Sequence, residues 1–298
     1  MYKYGVHYGY WSQQWDTDII SLVKRASRLG LSVLEINPPN YMMDLDKNKM
    51  KELKDVAEAH QVEVNICIGF PKEMDMSSED ESVRNAGIEY TKRMLEAAHF
   101  MGGTIISGIL YSYWPATYPG LLDRETKADY LERGLESVRK VIPVAEDYNI
   151  IYAIELVNRF EQYLLNGVDE GLEFVKKVES ANCKLLLDTF HLNIEEDDMA
   201  EAIRKAGSYL AHIHACENNR KVPGQGNHIR WPEVFAALKD INYQGRIVME
   251  PFVKMGGPVG RDLRIWRDAI DTSAGNVQER LDQDLAEGLR FLKQMAQC

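Results

Sequence analysis

The chain has 298 residues, a formal net charge of −11 and a hydrophobic fraction of 45%, as expected for a globular protein with one large domain or two average ones. The negative charge and the lack of a long basic run argue against a nucleic-acid partner, because phosphate recognition needs a positive face. No stretch approaches 18 apolar residues and no secretion signal is apparent, so we expect no membrane association. Four scattered cysteines suggest reduced thiols and a cytoplasmic location.

Short apolar runs alternate with amphipathic segments along the chain. Each run is predicted to be a strand, and each segment with 3.6-residue periodicity is predicted to be a helix. The predicted strands are Tyr4–His7, Val33–Ile36, Val62–Ile68, Thr104–Leu110, Ile150–Glu155, Lys184–Leu187, Leu210–His214 and Arg246–Glu250. The predicted helices are Trp15–Arg28, Lys49–His60, Val83–Met101, Arg124–Tyr148, Val168–Val178, Met199–Ala206, Trp231–Lys239 and Glu279–Met295.

These eight strand–helix units follow one another without a linker or a low-complexity segment. Such an alternation predicts an α/β fold, a (β/α)8 TIM barrel that spans residues 1–298 as a single domain. Pro143 within the fourth helix predicts a kink or a break. Active sites of these barrels lie at the C-terminal ends of the strands, so the residues at those ends are the candidates for catalysis and binding.

Four of the predicted strands have an ionisable residue at their C-terminal end, namely Glu155, Asp188, His214 and Glu250. Such a group costs several kcal/mol when it is buried without a metal, a partner or water. Three carboxylates and one imidazole suit Mn²⁺, Co²⁺ or Mg²⁺ better than structural zinc, which prefers thiolates and imidazoles. We therefore expect one divalent metal ion per subunit, held by these four residues.

Glu155 and Glu250 are also candidates for an acid/base pair. Their strands are three steps apart in a ring of eight, about 135° around the barrel axis. The two carboxylates would then approach a central substrate from opposite sides. This placement suits a two-base epimerisation, in which one carboxylate removes a proton from a carbon and the other returns a proton to the opposite face. A metal on the adjacent carbonyl oxygen would stabilise the enediolate.

Polar and aromatic residues near the strand ends are candidates for sugar binding. Glu161, His191 and Arg220 offer donors and acceptors suited to hydroxyl groups, although ordinary loop polarity is an alternative. His7 and Cys67 end strands one and three, where we expect them to shape the distal end of the pocket. The aromatic candidates, for which core packing is the alternative, are Trp15, Trp114 and Phe252.

Two further residues near the strand ends have no clear assignment. His212 alternates with His214 and Cys216, so a zinc cluster of these three is conceivable. The favoured interpretation of His212 is a hydrogen-bonded core histidine. Glu35, at the end of strand two, is an acid of unknown role.

Several motifs resemble the D-tagatose 3-epimerase family, which includes the D-psicose (D-allulose) 3-epimerases, and the similarity extends nearly from end to end. The motifs are ELVNRFE at Glu155–Glu161, LDTFHLNIEE at Leu187–Glu196, Asn219-Arg220 leading to Pro223-Gly224-x-Gly226, and MEPF at Met249–Phe252. The resemblance implies a metal-dependent barrel enzyme, an isomerase that epimerises free ketohexoses at C3, of the D-tagatose/D-sorbose and D-fructose/D-psicose type.

The resemblance also implies the site. It places Mn²⁺ or Co²⁺ at the four ligand candidates and makes the two glutamates the acid/base pair. It assigns Glu161, His191 and Arg220 to the O1–O3 side of the ketose. It further implies a homodimer or a homotetramer.

Three other functions remain as alternatives. An aldose–ketose sugar isomerase on the same barrel would want two metals and more acids at the strand ends. A zinc endonuclease for abasic DNA would require more histidines than the seven present, and a basic face, which a net charge of −11 does not favour. A non-catalytic sugar sensor would not need opposed carboxylates.

Overall fold

The computed structural model describes residues 2–273 and 275–297 and has a closed barrel of eight parallel strands at its centre. The strands pair in chain order, and pairing of the first with the last closes the ring. The predicted (β/α)8 barrel is therefore confirmed. The strands are β1 (Lys3–His7), β2 (Val33–Ile36), β3 (Glu63–Phe70), β4 (Ile105–Tyr113), β5 (Ile151–Leu156), β6 (Cys183–Asp188), β7 (Leu210–Ala215) and β8 (Arg246–Met249).

Helices surround the barrel and cover the outer face of its strands. The helices are α1 (Ile19–Arg28), α2 (Asn40–Met43), α3 (Lys47–Ala59), α4 (Glu81–Met101), α5 (Arg124–Asp147), α6 (Val168–Val178), α7 (Thr189–Glu195), α8 (Met199–Ala206), α9 (Trp231–Asp240), α10 (Gly257–Asp262) and α11 (Val277–Met295). Short 3-10 turns lie at Tyr8–Tyr10, Lys72–Met74 and Gly207–Tyr209. Within the described residues, no helix combines the length and apolarity that crossing a membrane requires.

The structure differs from the sequence prediction mainly in the loops after the strands. The helices α2, α7 and α10 were not predicted, because four to seven residues are too few for a clear helical period. Helix α1 begins at Ile19 rather than Trp15, because the Asp18 side chain accepts a hydrogen bond from the Ser21 amide and caps the helix there. The break suggested by Pro143 does not occur. Helix α5 continues through this proline, and burial of its inner face offsets the lost hydrogen bond.

The interior of the barrel is unusually polar below the strand ends. Glu35 on β2 contacts Ser107 on β4 and His212 on β7. Because these strands are not neighbours, the three side chains must point into the barrel. Asn65 on β3 pairs in register with Glu35 and is fully buried as well. Apolar branched residues usually fill this region, so packing alone does not account for the hydrogen-bonding groups found there.

Gly108 on β4 marks a close approach of two strands. Its φ of +113° is a conformation that residues with a side chain rarely adopt, and a Cβ there would lie 2.3 Å from the carbonyl oxygen of Ile68 on β3. A side chain would therefore force apart strands next to the cavity described below.

We predict that Gly108→Ala lowers the free energy of unfolding by about 1–3 kcal/mol for the backbone conformation and by a similar amount for overpacking. Denaturation midpoints in urea measure the loss. Gly102→Ala is the matched control, because Gly102 also has a positive φ of +78° but an added Cβ would meet nothing within 4 Å. Its cost should be about 1–2 kcal/mol. Equal losses in the two variants would contradict the proposed strand contact.

Candidate active site

A cavity of about 490 Å³ opens at the C-terminal ends of the strands, a volume suited to a small ligand. The two glutamates predicted as acid and base, Glu155 and Glu250, line it. Asn37 and Asp262 also line it and were not predicted. All eight predicted sugar-binding residues contribute to its wall, namely His7, Trp15, Cys67, Trp114, Glu161, His191, Arg220 and Phe252.

The four predicted metal ligands converge beside this cavity. Each of Glu155, Asp188, His214 and Glu250 is buried, and each offers one ligand atom within 4.8 Å of the others. Asp188 and His214 are register partners on β6 and β7. Glu250 follows β8 directly, and its amide donates a hydrogen bond to the Ala215 carbonyl, which continues the pairing with β7. Three carboxylate oxygens and one imidazole nitrogen could therefore hold one divalent cation here.

His214 presents its Nδ1 atom to this cluster. Nδ1 lies 3.5 Å from Oε1 of Glu155 and 3.5 Å from Oε1 of Glu250, is buried, and has no hydrogen-bond partner among the described residues. Its other nitrogen, Nε2, lies 2.5 Å from Oε1 of Glu35. Burial lowers the pKa of His214, but the charges of Glu250 and Glu35 outweigh burial and raise it well above its usual value. A cation at Nδ1 would take the place of the proton there.

Arg220 joins two of the acids. Its Nη1 donates to Oδ2 of Asp188 at 2.5 Å and to Oε2 of Glu250 at 2.8 Å. The guanidinium lies over the ring of Phe190, 4.0 Å from the centroid, and is also 5.5 Å from the ring centroid of Phe252. These contacts fix a positive charge beside Glu250.

The two glutamates are electrostatically unequal as a result. Burial raises the pKa of Glu155, and the charges of Glu250 and Asp188 add to this effect against the attraction of His214. Burial would raise the pKa of Glu250 too, but the positive charges of His214 and Arg220 outweigh it and hold the pKa well below the usual range. The two carboxyl groups of this site thus differ in proton affinity.

His191 is neutral and has a defined tautomer. Its Nδ1 accepts a hydrogen bond from the backbone amide of Asn158 at 3.2 Å and lies 2.7 Å from the side-chain nitrogen of the same residue. In the neutral ring Nε2 then carries the hydrogen, and it lies 3.3 Å from Nη2 of Arg220, 3.7 Å from Oδ2 of Asp188 and 3.9 Å from Oε1 of Glu155. Burial lowers the pKa of His191 to about 3. His191 is thus an uncharged ring at the edge of the acid cluster, with its Nε2 beside Arg220.

Glu161 and the two tryptophans are held by hydrogen bonds at the cavity wall. Oε2 of Glu161 accepts from Nε1 of Trp114 at 3.0 Å, and its Oε1 accepts from the Asn158 side chain at 3.1 Å. Nε1 of Trp15 donates to Oδ2 of Asp262 at 2.8 Å. Both indole rings are therefore fixed as walls of the cavity.

The opposite side of the cavity contains His7 and Cys67. Nδ1 of His7 accepts from the Gly9 amide at 3.3 Å, so the hydrogen of the neutral ring lies on Nε2. Burial lowers the pKa of His7, which favours this neutral form. Phe252 meets the His7 ring edge-on at 5.6 Å between centroids. Burial raises the pKa of the Cys67 thiol well above its usual value, so it is a small uncharged surface.

Glu35, whose role the sequence left unassigned, lies at the centre of a buried hydrogen-bond network. Oε2 of this carboxylate lies 2.8 Å from Nε2 of His212 and accepts from Ser107 at 3.2 Å, while Oε1 meets His214. The hydrogen-bonded core role is thus the better account of His212. A zinc cluster of His212, His214 and Cys216 is not among the groups of described residues whose ligand atoms lie close together. In the sequence, the only sign of this network was an acid at the end of β2. The hydrogen-bond partners of Glu35 are 72 to 179 residues away in the chain, so no local pattern connects them to it.

Comparison with known proteins identifies the family. Residues 23–295 match the family described as xylose isomerase-like TIM barrel. The chain is 41% identical to the D-psicose 3-epimerase of Ruminiclostridium cellulolyticum over 99% of this chain and 98% of the relative, and 38% identical to that of Agrobacterium fabrum over 97% of both. A crystal structure of D-psicose 3-epimerase with D-tagatose from Clostridium cellulolyticum superposes with a TM-score of 0.92 and 40% identity, over 99% of this chain and 100% of that one. The chain therefore belongs to the xylose isomerase-like TIM barrel family and, within it, to the D-tagatose and D-psicose 3-epimerases that its sequence motifs resemble.

Proposed function

We propose that this protein is a metal-dependent isomerase that interconverts free ketohexoses at C3, with D-fructose/D-psicose and D-tagatose/D-sorbose as the substrate pairs. The observation that carries the proposal is that two buried glutamates line a sugar-sized cavity and converge there with Asp188 and His214. The relatives named for D-psicose 3-epimerisation support an epimerase over an aldose–ketose isomerase.

We propose that Glu155, Asp188, His214 and Glu250 hold one Mn²⁺ or Co²⁺ ion per subunit. The unpaired Nδ1 of His214 supports this assignment, because it is a buried polar atom directed at two carboxylates. A mixed set of oxygen and nitrogen donors suits these ions better than Mg²⁺, which prefers oxygen ligands. When bound, the ion would polarise the ketose carbonyl and so acidify the C3–H bond.

The proton transfer is assigned to Glu155 and Glu250. One glutamate removes the C3 proton, and the other delivers a proton to the opposite face of C3. Their different contacts support the division of labour, because Arg220 donates a hydrogen bond to Glu250 and so favours its ionised form.

The remaining residues around the cavity are assigned to sugar binding. Arg220 and the Nε2–H of His191 are donors that can stabilise negative charge on the sugar oxygens next to C3. Glu161 is assigned to the hydroxyl groups on the same side. Aromatic faces for the sugar come from Trp15, Trp114 and Phe252. The part of the cavity assigned to the distal end of the sugar is lined by His7 and Cys67.

We further propose a homodimer or homotetramer and a cytoplasmic location. Phe160, Met255 and Trp266 have large apolar side chains that are exposed by 60%, 49% and 71% in the single chain. Burial against another subunit would account for apolar exposure of this extent. Light scattering of the purified protein would test the assembly state.

Asp188→Asn should remove the bound cation and nearly all activity while the barrel stays folded. Loss of a direct charged ligand should weaken cation binding by more than the roughly 10- to 100-fold that loss of an outer partner causes. Elemental analysis of the purified variant measures the occupancy. Asp284→Asn is the control, because Asp284 is a buried acid bonded to Arg280 on the outer helix α11. Full occupancy in Asp188→Asn would contradict the ligand assignment.

In D₂O, the wild-type enzyme with Mn²⁺ should convert D-fructose into D-psicose that carries deuterium at C3. The glutamate that returns the proton exchanges with solvent, so substrate-derived hydrogen should be lost. Proton NMR of the product measures the label. Retention of the original hydrogen in every turnover would indicate a hydride shift or a shielded single base, and the two-base assignment would then be withdrawn.

Glu155→Gln and Glu250→Gln should each abolish net epimerisation, because each removes the group facing one side of C3. Both residues are also proposed metal ligands, so the comparison requires variants shown to be cation-loaded. In such a variant, the remaining glutamate should still exchange the C3 proton of the one epimer that it faces. Normal epimerisation by either loaded variant would refute its role.

His7→Phe should change the preference among ketoses that differ at C4 to C6, because it removes the Nε2–H donor from the cavity. One net hydrogen bond corresponds to about a 2- to 10-fold change in relative kcat/KM. The ratio of kcat/KM for D-fructose and D-tagatose, measured in both proteins, tests this. Unchanged ratios for every ketose would show that His7 lies outside the binding region for the distal hydroxyls.

A further inference from the structure

Glu35 is a buried carboxylate that receives three hydrogen-bonding groups from two other strands. Its side chain is fully inaccessible to solvent. The Nε2 atoms of His214 and His212 lie 2.5 Å from Oε1 and 2.8 Å from Oε2, and Ser107 donates to Oε2 at 3.2 Å. Ordinary core packing does not require an acid here, and burying one costs several kcal/mol unless its partners compensate.

The contact with Glu35 determines which nitrogen of His214 is available to a ligand. An ionised carboxylate can only accept hydrogen bonds, so Nε2 of His214 must carry a hydrogen. Nδ1 is then the atom that exchanges its proton for a cation, and it faces Glu155 and Glu250 at 3.5 Å from each. The bond also fixes the plane of the imidazole ring.

We propose that Glu35 is a positioning residue for the divalent cation, acting through His214 and never contacting the ion. This inference rests on the proposed function, since it assumes a cation at the four-residue cluster. Glu35 keeps the Nε2–H tautomer of His214 and aims Nδ1 at the cation. Its negative charge also makes the imidazole a stronger donor to the cation, as carboxylate partners of metal-binding histidines do.

The contacts of Glu35 require a carboxylate, because both of its side-chain oxygens must accept a hydrogen bond. Each of its two oxygens receives one imidazole N–H, from His214 and His212. A glutamine at this position could accept from only one of the two rings and would direct its own N–H₂ group at the other. One histidine would then have to change tautomer or turn away.

A direct ligand role for Glu35 is the competing interpretation. Glu35, Cys67 and His214 also bring ligand atoms within 4.8 Å of one another. A cation in that group would need the Cys67 sulfur and would displace the hydrogen bond between Glu35 and His214. Cys67→Ala therefore separates the two interpretations, because it removes a ligand from the second group and leaves the first intact.

The test measures Mn²⁺ affinity of the metal-stripped, full-length protein from the electron paramagnetic resonance signal of free Mn²⁺. Glu35→Gln should bind Mn²⁺ roughly 10- to 100-fold more weakly than the wild type. Ser107→Ala is the matched control, since it removes one donor to Glu35 but leaves both imidazole contacts, and it should stay within about two-fold of the wild type. An unchanged affinity in Glu35→Gln would overturn the proposal. So would a loss in Cys67→Ala as large as that in Glu35→Gln.

A second measurement needs no Glu35 variant and remains decisive if Glu35→Gln does not fold. Nitrogen-15 NMR of histidine-labelled wild type, saturated with Mg²⁺ as a diamagnetic ion, reports the tautomer of His214. His214→Gln identifies the signal by its loss. Protonated Nε2 and unprotonated Nδ1 are expected, and the reverse would overturn the proposal. Conversion of D-fructose by the wild type is measured separately, so failure of this inference is distinguishable from failure of the proposed function.

Discussion

The structure depends on how one buried pocket balances its charges. Four carboxylates, those of Glu35, Glu155, Asp188 and Glu250, lie in the barrel with one guanidinium and a single histidine whose pKa is raised. Arg220 and His214 can supply two positive charges against up to four negative ones. The excess negative charge would destabilise a closed barrel, because carboxylates leave water at a cost of several kcal/mol each. A divalent cation in the proposed position would add two positive charges and replace the Nδ1 proton of His214, so three positive charges would face up to four negative ones and the excess would be smaller.

The barrel architecture makes this concentration of charge feasible. Residues from β5, β6 and β7 and from the end of β8 reach one point because all strand ends converge on the same face. The polar layer below that point, with Glu35 and His212, supports the cluster from within the barrel. Binding chemistry and stability are therefore coupled, since the groups that position the site would otherwise be unpaired polar atoms in a core.

The asymmetry of the two glutamates has a local origin. Arg220 bonds to Glu250, and no hydrogen bond joins it to Glu155 among the described residues. Arg220 lies in the loop after β7 with a positive φ of 61°, and its guanidinium lies over the Phe190 ring at 4.0 Å from the centroid. A change in this loop would alter both the proton affinity of Glu250 and the contacts offered to a sugar.

The sequence by itself determined the barrel, the strand ends and the four converging ligand candidates. Apolar strands with ionisable ends are a local pattern in the sequence. Parallel strands in a closed barrel bring such ends together irrespective of the sequence and conformation of the loops. The motifs around Glu155, Asp188 and Glu250 also indicated the family correctly. Only the tertiary structure decided which nitrogen of His214 faces the cluster, the neutral tautomer of His191, the hydrogen-bond partners of Glu35 and the unequal contacts of the two glutamates with Arg220. These properties depend on hydrogen bonds and charges between residues far apart in the chain, such as Glu35 and His214, and no local pattern in the sequence specifies such pairs.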